Sequence, residues 1–105
     1  MSTKPRVIKD FEKLDPVIRE QIKLVYPFGF FKALIRYTDA AGTIRSALPF
    51  ETENTHYLVR MTITEAKNII RDDDDFDEDG VLKDDVRDDY EDKYGDLDHI
   101  DAPMD

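Results

Sequence analysis

The chain contains no cysteine, and only four of its 105 residues are glycine. Without cysteine there is no disulfide, no thiolate metal ligand and no cysteine nucleophile. So few glycines leave no phosphate-cradling loop, and no G-x-S-x-G sequence is present to expose a serine nucleophile. Histidine is scarce too, with His56 and His99 the only side chains that ordinarily titrate near neutrality. His56 stands at the entrance of an expected strand without a recognisable serine or acid partner, and His99 lies in the C-terminal tail. Neither reads as a general base. These absences point away from an enzyme, and no cofactor is expected. No apolar run approaches the roughly 18 residues of a membrane span. Residues 1–10 alternate polar and charged side chains and lack the apolar stretch of a secretory signal. The expected location is cytoplasmic, with no membrane partner. No repeat with a solenoid's period is present.

Charge is abundant and unevenly placed. The chain carries 15 basic and 25 acidic residues, a net charge of −10. Residues 1–71 hold 12 Lys/Arg against 8 Asp/Glu, a net of +4. Residues 72–105 hold 3 against 17, a net of −14. Such asymmetry marks a folded body with an interaction tail. The expected organisation is a small α+β domain over 1–71 and an acidic tail over 72–105. A body of this size is near the lower limit for independent folding, where a core yields about 3–5 kcal/mol net.

Within the body, Asp15 is a good N-cap and Pro16 suits the first position of a helix. Ile18, Ile22 and Val25 give that helix an apolar stripe, and Pro27 and Gly29 end it. The period then changes to two, predicting a strand over 31–38. Asp39-Ala40-Ala41-Gly42 is a turn, with Gly42 in the φ > 0 position of a type I turn plus bulge. A second strand over 43–50 and a third over 56–62 follow, Pro49 belonging to an edge or an exit. Thr62 and Glu65 form a capping box opening a second helix, with Ala66, Ile69 and Ile70 on one face. The predicted fold is α-β-β-β-α, a three-stranded antiparallel meander with both helices on one face.

Pairing Thr38 with Thr43 assigns side chains to faces. Tyr37, Ile44, Ala33, Leu48, Phe31 and Phe50 fall on one side, joined by Tyr57, Val59 and Met61. The other side receives Lys32, Leu34, Arg36, Arg45, Ala47, His56, Leu58 and Arg60, with no carboxylate among them. Arg36 and Arg45 would be directly opposed, a destabilising arrangement that an anion relieves. Lys32, Arg36, Arg45 and Arg60 are therefore the candidate anion- or tail-binding face. The alternative is an ordinary solvated face covered by arginine stems.

The tail has too much like charge to pack by itself and is expected to be partly disordered. Leu82, Val86, Tyr90 and Tyr94 recur every four residues, which allows a marginal amphipathic helix ending at Gly95. Asp75, Asp77, Asp79 and Gly80 match the first positions of a calcium loop, which makes those three aspartates candidate metal ligands. The acid required at the twelfth position is replaced by Val86, although Asp85 is adjacent.

The charge pattern favours a non-enzymatic interaction or regulatory module whose acidic tail binds the basic sheet face or a basic partner protein. A tethered tail has an effective concentration of the order of millimolar. The second reading is a weak nucleic-acid-binding domain with an autoinhibitory tail, or a calcium-responsive tail. The α-β-β-β-α order resembles double-stranded-RNA-binding domains, with Glu65-Ala66-Lys67-Asn68 at the start of the second helix. Only Lys67 and Arg71 stand where those domains carry a lysine cluster, and the net charge disfavours nucleic acid. Ser46-Ala47-Leu48-Pro49-Phe50-Glu51-Thr52, Tyr57-Leu58-Val59-Arg60-Met61-Thr62 and the acidic Asp-Phe-Asp-Glu-Asp-Gly stretch together resemble short, acidic-tailed bacterial proteins of the Bacteroidetes kind. That group has no assigned function. The resemblance implies a bacterial cytoplasmic setting and no site residues.

Overall fold

A computed structural model describes residues 4–95. His99 and the rest of the expected tail from residue 96 onward lie outside the described residues. The strands are β1 (Arg6–Asp10), β2 (Ile35–Thr38), β3 (Ile44–Glu51) and β4 (His56–Arg60). The helices are α1 (Pro16–Val25), α2 (Ile63–Arg71) and α3 (Asp84–Tyr94), and Phe11–Lys13 and Phe31–Ala33 form short 3-10 turns. The strands make one mixed sheet in the order β1-β4-β3-β2. β1 runs parallel to β4, while β4–β3 and β3–β2 are antiparallel.

The α+β class holds, but the three-stranded antiparallel meander is corrected to a four-stranded mixed sheet. Among the described residues the first element is a strand and the last two are helices. β1 is short and charged, and its Val7 and Ile8 are adjacent rather than alternating. It is a strand because it pairs with β4, from Arg6 opposite His56 to Asp10 opposite Arg60. A parallel pair needs a long crossover; here it comprises α1, β2 and β3.

The turn after β2 forms as the sequence dictates. Gly42 takes φ +86°, and the Asp39 carboxylate accepts hydrogen bonds from the backbone N–H of Ala41 and Thr43 at 3.0 and 2.9 Å. The turn is one residue longer than expected, however, so Thr38 pairs with Ile44 rather than with Thr43. Residues 31–33 form a 3-10 turn and not the start of the strand. A one-residue slip moves every β2 side chain to the other face relative to β3. Arg36 is consequently opposite Ser46, and Tyr37 opposite Arg45.

Pro49 lies within β3, where it is tolerated because β2 stops short of it, the last pair being Ile35 with Ala47. The Pro49 carbonyl instead accepts the Tyr26 hydroxyl. Tyr26 also meets Phe30 edge-on at 6.3 Å, and Phe30 contacts Phe11 and Phe76 with ring centroids 5.6 and 6.1 Å apart. This aromatic group joins Ile18, Ile22 and Leu24 of α1, Leu48 and Phe50 of β3, Val59 of β4 and Ala66 and Ile70 of α2 in one core. The capping box at α2 is complete, Thr62 Oγ1 accepting from the Glu65 N–H and Glu65 Oε1 from the Thr62 N–H. All three helices contribute to this one face of the sheet.

The core does not stop at Arg71. Phe76 and Leu82 are 5% and 1% exposed and belong to it. They bridge each other across a tight loop, with Asp77 N–H bonded to the Val81 carbonyl at 2.8 Å and Gly80 at φ +80°. The Leu82 N–H then donates to the Pro27 carbonyl at 2.7 Å. Residues 72–95 thus share the body's core, although their composition is that of a solvated tail.

Candidate functional site: an acidic ridge locked onto the first helix

α3 is amphipathic in an unusual sense: one side is aromatic and the other almost wholly anionic. Val86, Tyr90 and Tyr94 recur at four-residue spacing and pack on the core. Around the opposite arc of the helix stand Asp84, Asp85, Asp88, Asp89 and Asp92, all exposed. Asp84 and Asp85 suit the positive end of the helix dipole and Lys93 the negative end. Asp84–Asp88, Asp85–Asp89 and Asp88–Asp92, by contrast, are like-charge pairs, each costing about 0.2–0.5 kcal/mol. Within the helix only Arg87–Glu91, at 3.6 Å, opposes that repulsion among the described ion pairs.

Anchoring to α1 overcomes it. Lys23 is 9% exposed, and its Nζ lies 2.6 Å from Asp73 Oδ2 and 2.9 Å from Asp75 Oδ2. The Tyr90 hydroxyl donates to the same Asp75 oxygen at 2.6 Å. One helical turn on, the Tyr94 hydroxyl donates to Glu20 Oε1, which also accepts from Lys93 Nζ at 3.0 Å. The polar groups that tie the segment down are thus satisfied in pairs, as partial burial requires.

The protonation states follow from these contacts. Burial pulls the Lys23 ammonium down, yet the hydrogen bonds and charges of Asp73 and Asp75 outweigh it and hold its pKa above the usual lysine value. Burial likewise pushes Asp75 up, and the donors Tyr90 and Lys23 more than reverse this, leaving it below the usual carboxylate range. Tyr90 and Tyr94 are raised, first by burial and then by hydrogen bonding to Asp75 and Glu20. At neutral pH Lys23 and Asp75 are charged and the two phenols neutral.

The candidate anion face is dispersed. Lys32 is in the 3-10 turn, 5.9 Å from the centroid of the Phe31 ring. Arg36 is exposed on β2 and, opposite Ser46, faces the helical side by alternation. Arg45 and Arg60 share a surface cleft of about 420 Å³ with Asp10, Ser46, Thr62 and Glu65. Both are already paired, Arg45 Nε to Asp39 Oδ2 at 2.8 Å and Arg60 Nε to Asp10 Oδ1 at 3.0 Å. The direct opposition of Arg36 and Arg45 and the carboxylate-free face are therefore corrected. The longer turn separates the arginines, and β1 supplies Asp10.

The three aspartates of the calcium-loop reading are engaged separately. Asp75 is turned to Lys23 and Tyr90, while Asp77 Oδ1 accepts from the Asp79 and Val81 N–H groups at 2.8 and 3.0 Å. Asp75, Asp77 and Asp79 do not converge, and among the described residues no three His, Asp or Glu side chains are placed to hold one metal ion. His56 Nδ1 lies 3.6 Å from Glu51 Oε2 at the sheet rim, with its side chain 39% exposed.

Of the residues that lock the ridge, Lys23, Glu20 and Asp73 escaped the sequence reading, and Asp75 was singled out for a metal rather than for Lys23. The four-residue spacing of Val86, Tyr90 and Tyr94 signalled the helix, but nothing local marks Lys23 as buried. No helix among the described residues is long and apolar enough to cross a membrane. No family model matches this chain, and neither a curated protein nor a solved structure matches it.

Proposed function

We propose that this chain is a non-enzymatic interaction module whose acidic segment, held on α1, receives a basic protein surface. The observation that carries this reading is the array of five exposed aspartates on the outer side of α3, fixed from behind by Val86, Tyr90 and Tyr94. A free polyanionic tail would lose entropy on binding. A ridge already ordered by Lys23 and Glu20 avoids most of that loss and presents its charges at set intervals. The like-charge pairs along α3 are an intramolecular cost that a lysine- or arginine-rich partner relieves. Of the two destinations expected for the tail, the basic partner is the one this packing favours. Asp73 and Asp75 are engaged at Lys23 of α1, on the helical side of the sheet and away from Arg45 and Arg60.

The test is binding to a lysine-rich peptide of about 20 residues, long enough to span the ridge when extended. The variant Asp85→Asn, Asp88→Asn, Asp89→Asn, Asp92→Asn removes charge without touching the packed side of α3. Affinity should fall at least about tenfold, equivalent to about 1.4 kcal/mol, and the difference should shrink with added salt. Equal binding by both proteins would refute the reading.

A further inference from the structure

Between α2 and the loop of residues 77–80 lies an apolar cleft of about 400 Å³, a volume in the range of ligand sites. Its floor is the core itself, the buried Phe30, Ala66 and Ile70. Phe28 and Phe31 form an aromatic wall and are 73% and 38% exposed. Lys67 and Arg71 of α2 form a second wall, and the exposed Ile63 continues it one helical turn earlier. Asp77, Glu78 and Asp79 form the third. The two loops meet at glycines: Gly29 and Gly80 hold φ +102° and +80°, and a Cβ on Gly29 would touch the Gly80 carbonyl oxygen at 3.8 Å. A phenylalanine as exposed as Phe28, beside Phe31 at an apolar cleft, is a patch rather than a scattered surface residue.

We propose that this cleft takes one large apolar side chain of the basic partner, so that the segment recognised is an aromatic or aliphatic anchor flanked by lysine or arginine. The inference rests on the reading of α3 as a receptor for a basic surface and adds the anchor to it. Charge selects the occupant. The cations at the rim are engaged: Arg71 Nε lies 3.1 Å from Asp72 Oδ1, and Lys67 Nζ lies 4.8 Å from the centroid of the Phe31 ring. Glu78 and Asp79 are exposed and form no ion pair among the described residues. Asp77 holds only the backbone N–H groups of Asp79 and Val81. The rim thus offers carboxylates to cations that flank an apolar residue. It repels a second copy, which brings −10, and residues 96–105, which contain four aspartates and no lysine or arginine.

Position agrees with charge. Asp79 precedes Asp84, the first residue of α3, by five residues, so their Cα atoms are at most about 18 Å apart. About six residues of an extended peptide cover that span, and one segment reaches both the cleft and the ridge. The two sites contribute differently. The aspartates of α3 steer a basic segment and lose their hold as salt screens them. An aromatic side chain seated in an apolar cleft supplies a contribution that salt does not screen, as the anchors at the centre of interfaces do. Salt therefore reads the two apart.

The experiment compares two probes on the full chain at low and physiological salt: the lysine-rich peptide above, and the same peptide with one central residue changed to tryptophan. The tryptophan peptide should bind at least about tenfold more tightly, the order expected for burying one aromatic side chain, and that ratio should hold in salt. Amide shifts specific to it should map to Phe28, Gly29, Phe31, Ala66 and Gly80. Phe28→Ala should cut the ratio at least about threefold, with an unchanged circular dichroism spectrum. The fourfold Asp→Asn variant of α3 should weaken both peptides and leave the ratio as it was. Equal affinities for the two peptides, still weakened by the α3 variant, overturn this inference alone. A tryptophan gain that survives Phe28→Ala, or whose shifts map elsewhere, for example around the exposed Ile35 and Ile44, also overturns it. Affinities that the α3 variant leaves unchanged overturn the ridge reading, and this inference with it.

Discussion

Truncating Leu82 or Phe76 to alanine separates a folded acidic segment from a tethered tail. Leu82 is 1% exposed and Phe76 5% exposed. Leu→Ala at such a site costs about 2–5 kcal/mol and Phe→Ala about 3–5 kcal/mol, through lost transfer energy and the cavity left behind. Phe76 also gives up its edge-on contact with Phe30 at 6.1 Å, a term of about 0.5–1.5 kcal/mol. The described part of the chain has a total stability of about 5–14 kcal/mol by its length, so either change consumes a large share. With a urea slope of about 1–3 kcal/mol per molar, Leu82→Ala should lower the unfolding midpoint by about 1 M or more. The assay is equilibrium urea unfolding followed by far-ultraviolet circular dichroism. A side chain in a free tail would change stability by no more than about 0.5 kcal/mol. A shift that small at both positions would refute the shared core.

Lys23→Met should destabilise by about 2 kcal/mol in the same assay, because Asp73 and Asp75 lose their cation while partly desolvated. Raising the pH should loosen α3. The folded-state pKa values of Tyr90, Tyr94 and Lys23 are raised above their ordinary 10.0, 10.0 and 10.5, so the stability they add is complete below about pH 10 and disappears as pH climbs through the raised values. Tyrosinate absorbance against pH should show three late-titrating groups in wild-type protein and only one, the half-buried Tyr26, in Tyr90→Phe, Tyr94→Phe. At the acid end Asp75, lowered from 3.8, contributes stability above that value and loses it as pH falls further. Gly80→Ala should cost about 1–2 kcal/mol by thermal unfolding, since Gly80 holds φ +80°, where an L side chain is strained. An unchanged Tm would show that the loop relaxes freely.

Features governed by local chemistry were readable in the sequence. Pro16 opens α1, Thr62 and Glu65 cap α2, Gly42 turns the hairpin and Gly95 ends α3. What escaped was governed by partners distant in the chain. β1 has no alternation of its own and exists through its ladder with β4. The hairpin register depended on one extra residue accommodated by the Asp39 side chain, and that residue decided whether Arg36 and Arg45 shared a face. Phe76 and Leu82 sit among aspartates, so composition marks their segment as solvated, yet each fills a place in the core. Lys23 lies between Ile22 and Leu24 and looks like an ordinary surface lysine until Asp73 and Asp75 arrive from 50 and 52 residues further along.

The most direct test of the central claim is a titration of isotope-labelled protein with the lysine-rich peptide, followed by amide shifts at low and high salt. The account predicts changes concentrated over α3, at Asp84, Asp85, Asp88, Asp89 and Asp92, that fade as salt rises. Saturable, salt-insensitive changes elsewhere, or none at low salt, would contradict it.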